Sequence, residues 1–148
     1  MMVLIPTRSY QRQEIDLLFT KVKAQMHQQA LARGGDGTAL YTDCYTGKTL
    51  RGGERYDYEH IRSSEDVFMK YRDRLINTEI AEVVNCPENI AVTLRTINQS
   101  KGKMRMEDWM ANSNNVSNHN INLSIAKRSI ANADLGIKNK VEEILSCR

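Results

Sequence analysis

The chain has 148 residues, of which 26% are charged and 41% hydrophobic, and its formal net charge is +3. This length predicts a single domain that can bury a modest core, and the composition excludes a disordered or fibrous protein. No run reaches the about 18 apolar residues of a membrane span, and the apolar opening, residues 1–6, is too short for a signal-peptide core. We therefore expect a soluble, cytoplasmic protein without a membrane partner.

Three cysteines, Cys44, Cys86 and Cys147, are scattered along the chain without a Cys-x-x-Cys pair. The odd count and wide spacing argue against a disulfide framework and against a cysteine-rich zinc site. We expect buried or partly buried thiols in a reducing compartment. None has a histidine partner recognisable in the sequence, so a nucleophilic role has no support.

The first predicted element is an amphipathic helix over about residues 9–33, because apolar residues recur at helical spacing from Ile15 to Ala30. Thr7 or Ser9 is available as its cap, and the glycine-rich stretch 34–37 ends it.

Four short strands are predicted from stretches rich in β-branched and aromatic residues. They cover residues 39–42, 49–50, 56–61 and 89–93. A turn-like stretch at 45–48 separates the first two strands. The fourth leads into a brief helix that Thr96 is placed to cap, that carries Asn98 and that ends at Gly102.

Between the third and fourth strands the sequence predicts a helical insertion. Ser63-x-x-Asp66 opens a helical segment that continues to Leu75, and residues 78–84 form a second helix that ends before Pro87.

The C-terminal part, about residues 123–146, is predicted to be helical. Residues 112–122 contain six asparagines and predict a polar loop before it. Two helices follow, at about 123–131 and 135–146, and Asp134 is placed to cap the second.

One group of side chains carries chemistry: Glu59 and His60 at the end of the third strand, and Asn98 in the helix after the fourth. Hydrolysis of a phosphodiester needs a base that deprotonates water and a cation that neutralises charge on the scissile phosphate. A histidine with a pKa near neutrality suits the first task. A carboxylate and an amide oxygen form a hard, oxygen-only pair that suits Mg²⁺ or Mn²⁺ rather than zinc.

Basic residues cluster directly after this group. Residues 95–106 carry four basic side chains and no acidic one, whereas residues 54–83 carry eight acidic and five basic residues. The four are Arg95, Lys101, Lys103 and Arg105, and Arg62 lies two residues past His60. We predict that these five residues bind the nucleic-acid backbone, against the alternative of a solvated face without function.

Four motifs together resemble the HNH nuclease family. They are Tyr45-Thr46-Gly47-Lys48, Tyr58-Glu59-His60-Ile61, Asn89-Ile90-Ala91-Val92-Thr93 and Asn98-Gln99-Ser100-Lys101-Gly102. The opening Cys44-Tyr45-Thr46-Gly47 is similar to the HNH domains of RNA-guided CRISPR nucleases. The resemblance covers about residues 39–105 and implies an α+β protein with a ββα-metal core, to which the terminal helices and the helical insertion are added.

The resemblance also implies a role for each site residue. Glu59 and Asn98 hold one Mg²⁺ or Mn²⁺ ion, and His60 is the general base. Asn89 either orients that histidine or ties the hairpin loop through its amide.

The motif differs from the common family pattern in two positions. Glu59 stands where aspartate is common and Asn98 where a final histidine is usual, and both variants preserve oxygen ligation. The 28 residues between His60 and Asn89 also form a long interval for the family. The helical insertion is therefore expected to contact a substrate or a partner.

Three other polar residues receive ordinary structural interpretations. A salt-bridged or solvated Asp57 is favoured over an additional metal ligand, because of its alternation along the strand. His27 and His119 are expected at the surface.

We therefore expect a metal-dependent endonuclease that hydrolyses DNA, with weak sequence specificity because no helix-turn-helix or zinc-finger pattern is present. A defence-system effector with an antiviral role, a toxin domain, or a phage or mobile-element nuclease fits this description, with a regulatory or immunity protein or a larger complex as partner. Two alternatives remain open. One is a nucleic-acid-binding module with an inactive site, and the other is a structural subunit whose terminal helices dock onto a complex.

Overall fold

The computed structural model describes residues 9–148, in which four strands form two antiparallel pairs among seven α-helices. The strands are β1 (Leu40–Thr42), β2 (Thr49–Arg51), β3 (Tyr56–His60) and β4 (Ile90–Leu94). The helices are α1 (Gln13–Gly34), α2 (Ser64–Tyr71), α3 (Asn77–Val84), α4 (Arg95–Lys101), α5 (Met106–Met110), α6 (Ser113–Asn118) and α7 (Leu123–Ser146). This mixture of helices and small sheets confirms the α+β class. The apolar opening and the proposed cap at Thr7 lie outside the described residues.

The turn of the first hairpin is fixed by a buried carboxylate. Asp43 accepts hydrogen bonds from the backbone N–H groups of Tyr45, at 2.9 Å, and Thr46, at 3.2 Å. Gly47 has a φ of 77°, and a Cβ at this position would lie 2.5 Å from the side chain of Ile125 in α7. Only glycine fits both the backbone conformation and this close approach.

The β3–β4 pair and α4 form one continuous unit, since α4 begins at the residue after β4 and packs against both strands. Glu59 lies opposite Ala91 in the register. Successive side chains of a strand point to opposite faces. The side chains of Asp57 and Glu59 contact α4, whereas that of His60 contacts Phe19 of α1 and Asn85, the residue after α3.

The hydrophobic core has three clusters. The inserted helices pack with α1 and α7 around Ile15, Val67, Phe68, Leu75, Ile80 and Ile137. A second cluster closes α4, α5 and α7 onto the first turn through Tyr45, Ile97, Met106, Trp109, Ala126 and Ala133. The third lies between α1 and the hairpins and contains Ala30, Ala39, Tyr41, Leu50 and Val92. The insertion is therefore part of the folded core.

The predicted N-terminal helix is confirmed as α1, which ends where Gly35 adopts a left-handed conformation with φ 76°. The proposed cap at Ser9 is wrong, because Arg12 occupies the N-cap position and makes no side-chain capping bond. The cap predicted for α2 is confirmed, since the Ser63 hydroxyl accepts a hydrogen bond from the Asp66 backbone N–H at 3.1 Å.

Two predictions for the segment between β4 and α7 are wrong. α4 begins at Arg95 rather than at a Thr96 cap, because the strand passes directly into the helix. The asparagine-rich stretch 112–122 contains the helix α6, whose N-terminus is capped by Asn112 through the Asn114 backbone N–H at 3.0 Å. An asparagine side chain satisfies a helix terminus as readily as it favours a turn.

The two predicted C-terminal helices form the single continuous helix α7, so Asp134 lies within a helix and caps none. Residues 131–135 contain no glycine or proline that would interrupt it. Gly136, one residue later, allows α7 to approach the short 3-10 turn Pro87–Asn89, because a Cβ there would lie 2.5 Å from the Glu88 Cβ.

None of the helices within residues 9–148 combines the length and the apolar character that crossing a bilayer requires. Cys86 is buried and Cys44 partly buried, as expected, whereas Cys147 is exposed. Burial raises the pKa of both Cys44 and Cys86, so neither is an activated thiolate.

Candidate active site

A cleft of about 580 Å³ opens between the end of β3, the start of α2 and the segment after α4. Most of the residues singled out in the sequence line this cleft. They are Glu59, His60, Arg62, Asn98, Lys101, Lys103 and Arg105. Asn89 and Arg95 do not line it. The cleft therefore brings together side chains from β3 and α4 that lie about 40 residues apart in the sequence.

Glu59 is buried and carries two specific contacts. The Tyr45 hydroxyl donates to Oε1 at 2.6 Å, and the Lys101 ammonium donates to Oε2 at 3.4 Å. Lys101 is itself only 6% exposed, so its charge is committed to this carboxylate rather than to an exposed phosphate-binding patch. Glu59 and Lys101 therefore form a buried ion pair at the edge of the cleft.

Asn98 is oriented by a second carboxylate on the same face of β3. Its side-chain N–H donates to Asp57 Oδ2 at 3.0 Å, and Arg95 donates to Asp57 Oδ1 at 2.9 Å. Asp57 is therefore salt-bridged, as the sequence favoured. Because the Asn98 nitrogen is engaged by Asp57, the amide oxygen remains as the acceptor of this residue.

The donor chemistry of the cleft fits a hard divalent ion. Glu59 and Asn98 offer a carboxylate and an amide oxygen, which are ligands for Mg²⁺ or Mn²⁺. Within residues 9–148 no three His, Cys, Asp or Glu side chains cluster in a way that could hold a metal. Such an ion would therefore have few protein ligands, and it would meet Lys101 as a competitor for Glu59.

His60 is held by two contacts. Its Nε2 lies 2.8 Å from Asn85 Oδ1, and its ring lies against Phe19 of α1 with the centroids 4.1 Å apart. Burial lowers the pKa of His60 below its ordinary value, and the hydrogen bond to Asn85 opposes this shift. The neutral imidazole, which can accept a proton, is favoured by the burial.

Asn89 does not orient His60. It has the other role predicted for it, because its side-chain amide bonds the backbone of the connection between β3 and β4. Its side-chain nitrogen donates to the backbone oxygens of Arg62, at 3.1 Å, and Val84, at 2.8 Å, and its oxygen accepts from the Arg62 N–H at 2.8 Å. It is fully buried, so it contacts no substrate. Asn85 orients His60 in its place.

The five predicted nucleic-acid-binding residues divide into three kinds. Arg62 donates to Asp134 at 2.7 Å and to Glu107 at 2.7 Å, and the hydrogen bond to Asp134 raises its pKa. Arg95 and Lys101 are paired with Asp57 and Glu59, as described above. Lys103 and Arg105 are exposed and make no ion pair with any residue in the described part of the chain. These two are the side chains that can receive phosphates without first breaking a salt bridge.

Sequence reasoning missed three residues that shape the site. Tyr45 belongs to the quoted Tyr-Thr-Gly-Lys motif, so the motif signalled its position but not its bond to Glu59. Phe19 and Asn85 carry no recognisable signal, because their contacts with His60 join segments distant in sequence.

No protein-family model matches the chain, and no curated protein or solved structure is significantly similar to it. The likeness to HNH nucleases therefore depends on the four motifs and on the side chains that the cleft brings together.

Proposed function

We propose that this chain is a divalent-metal-dependent HNH endonuclease that hydrolyses DNA phosphodiester bonds with weak sequence preference. The observation that carries the proposal is the presence of Glu59, His60 and Asn98 in one cleft that is bordered by basic side chains. A carboxylate, a histidine and an amide from a strand pair and the following helix are the groups that metal-assisted phosphodiester hydrolysis requires.

Glu59 and Asn98 are the residues that would hold Mg²⁺ or Mn²⁺. When bound, the ion supplies positive charge that stabilises the scissile phosphate and the leaving oxygen. Lys101 occupies one oxygen of Glu59 in the present structure at 3.4 Å. If the metal ion displaced the Lys101 ammonium from Glu59, the ammonium would remain beside the cleft. It could then bind a phosphate of the substrate.

His60 is assigned as the base, and Asn85 determines which ring nitrogen acts. The Asn85 side-chain nitrogen donates to the backbone oxygens of Ile15, at 3.1 Å, and Ala81, at 2.9 Å, so its oxygen must face His60. An amide oxygen at this position accepts a hydrogen bond, so the ring proton of neutral His60 is on Nε2. The lone pair is then on Nδ1, the atom that takes the proton from the attacking water.

Weak sequence preference follows from the nature of the exposed cations. Lys103 and Arg105 line the cleft. There they would contact phosphates, which every sequence shares. A small nuclease of this kind suits a defence effector, a toxin or a mobile-element enzyme in the cytoplasm, restrained by an immunity protein or a larger complex.

The decisive experiment is plasmid cleavage by the full chain with Mg²⁺ or Mn²⁺, with and without a chelator. We expect nicking that the chelator abolishes, and an about 10²- to 10⁴-fold lower rate in His60→Ala with DNA binding nearly unchanged. His27→Ala is the matched control, because His27 is an exposed histidine on α1 and should leave the rate unchanged.

Each result bears on the assignment. Undiminished cutting in chelator excludes the metal mechanism, and normal cutting by His60→Ala excludes this base. Absence of cutting with either ion favours the second candidate, a nucleic-acid-binding module with an inactive site. The buried pair of Lys101 and Glu59 is the observation in favour of that candidate, since a protein cation already neutralises the would-be ligand.

A further inference from the structure

A second groove adjoins the cleft on the side of the inserted helix α2. It has a volume of about 890 Å³ and runs between α2 and α7. Arg62, Asp66 and Arg105 line both the cleft and this α2–α7 groove, so the two spaces are neighbours on the surface. A chain-like ligand bound at the cleft can therefore reach the groove past these three side chains.

The floor of the α2–α7 groove is apolar. Its lining includes three residues of the core cluster between the inserted helices, α1 and α7, namely Val67, Tyr71 and Ile137. Each of the three is less than a tenth exposed. Met69 also lines the groove, and 54% of its surface is exposed. The floor offers contact to a flat or apolar group.

The rim of the groove carries an excess of positive charge. The pair of Arg62 and Asp134 neutralises itself through two hydrogen bonds of 2.7 and 2.9 Å. The remaining charged lining residues are Lys70, Arg105 and Lys138 against the single carboxylate of Asp66. Among residues 9–148 none of the three cations forms an ion pair, although Lys70 lies 5.4 Å from the Tyr71 ring centroid.

We propose that the α2–α7 groove binds a single DNA strand that continues from the cleft. The inference rests on the proposed nuclease function and specifies its substrate as DNA that is unpaired beside the scissile bond. A single strand offers both bases for an apolar floor and phosphates for a cationic rim. A duplex keeps the faces of its bases stacked inside, so it offers no base face to the apolar floor.

The groove is tested by binding in chelator, which separates binding from cleavage. Fluorescence anisotropy measures the affinity of the full chain for a labelled oligothymidylate and for a hairpin duplex of equal charge, over a range of salt concentrations. The variant Lys70→Gln with Lys138→Gln should reduce the salt dependence for the single strand by about 1.4, since each lost phosphate contact contributes about 0.7 to the slope. Met69→Ser should weaken single-strand binding with the slope unchanged.

Lys127→Gln with Arg128→Gln is the matched control, because both residues are exposed on α7 and line neither the cleft nor the groove. An unchanged slope in the groove variant, an equal loss in the control, or tighter binding of the duplex than of the single strand overturns the inference. If the chain binds the strand as expected but cuts no DNA with either ion, the groove stands and the nuclease function fails. If the chain cuts DNA but the groove variant binds as the wild type does, the function stands and the groove fails.

Discussion

Asp43 and Glu59 are both buried carboxylates, and Tyr45 donates a hydrogen bond to each. Asp43 accepts four hydrogen bonds, from the N–H groups of Tyr45, Thr46 and Leu94 and from the Thr93 hydroxyl. It meets no ion-pair partner within residues 9–148.

Glu59 has one hydroxyl donor and one ammonium, and it borders a cleft. The fixed N–H donors of Asp43 cannot leave without unfolding the hairpin, whereas the Lys101 ammonium on its flexible stem can be exchanged for another cation. The same chemical group is therefore fixed mainly by backbone donors at one position and by two side chains at the border of a cleft at the other.

The largest expected effect is the loss of cleavage when the charge of Glu59 is removed. Glu59→Gln combined with Lys101→Met removes both charges of the buried pair, so no unpaired charge is left and the fold should be retained. Cleavage should fall about 10³-fold because the ion loses its charged ligand. A plasmid assay with a thermal melt on the same sample checks both statements.

The control for this double variant is Lys140→Met with Glu143→Gln, which removes an exposed pair on α7 whose atoms are 3.3 Å apart. That variant should cut as the wild type does. Wild-type cutting by the Glu59 double variant would show that the ion is held elsewhere.

Asp43→Asn should have the opposite outcome, with loss of stability and no specific loss of chemistry. The amide keeps one acceptor, but its N–H₂ group must face a backbone donor such as the Leu94 N–H, which now bonds Oδ2 at 3.1 Å. We expect about 3 kcal/mol of destabilisation from lost charge-assisted bonds and an unsatisfied donor. Urea denaturation measures it, and a loss below about 1 kcal/mol would contradict the structural role.

A further prediction concerns Asn85, whose side chain contacts Nε2 of His60. In the wild type, ¹⁵N NMR of the imidazole should find the neutral His60 ring protonated at Nε2, and Asn85→Leu should abolish this preference. Cleavage should fall about 10²-fold through misorientation of the base. Asn85→Asp keeps an acceptor oxygen and should keep the Nε2–H tautomer. A wild-type ring protonated at Nδ1 would sink the assignment.

The smallest effect concerns the exposed carboxylates that hold Arg62. The hydrogen bond to Arg62 lowers the pKa of Asp134 from 3.8 and that of Glu107 from 4.5. Lowered folded-state pKa values mean stability that is present above pH 4.5 and is lost as the pH falls through the lowered values.

Because Asp134 and Glu107 are 54% and 44% exposed, solvent screening keeps this contribution below about 1 kcal/mol. Asp134→Asn should therefore show a smaller loss of stability between neutral and acidic pH than the wild type. Denaturation at both pH values measures this, and an unchanged pH dependence would contradict it.

The sequence by itself determined the elements whose signals are local. Ser63 capped α2 as predicted, and the apolar spacing from Ile15 to Ala30 gave the position of α1, because caps and helical periodicity act over a few residues. Local patterns gave wrong predictions where the same residue type favours two different structures. Asn112 and Asn122 cap α6 and α7 at the two ends of the stretch predicted to be a loop, and Asp134 pairs with Arg62 instead of capping a helix.

The tertiary structure alone decided which cations of the cleft are paired with carboxylates and which amide contacts His60. The sequence grouped Arg62 and Lys101 with Lys103 and Arg105 as equal phosphate-binding cations, but carboxylates from β3, α5 and α7 occupy the first two. It likewise gave no reason to choose Asn85 over Asn89 as the partner of His60. Whether a side chain is available to bind a ligand depends on which charged groups and amides the fold brings within about 3 Å of it. Those partners lie dozens of residues away in the sequence.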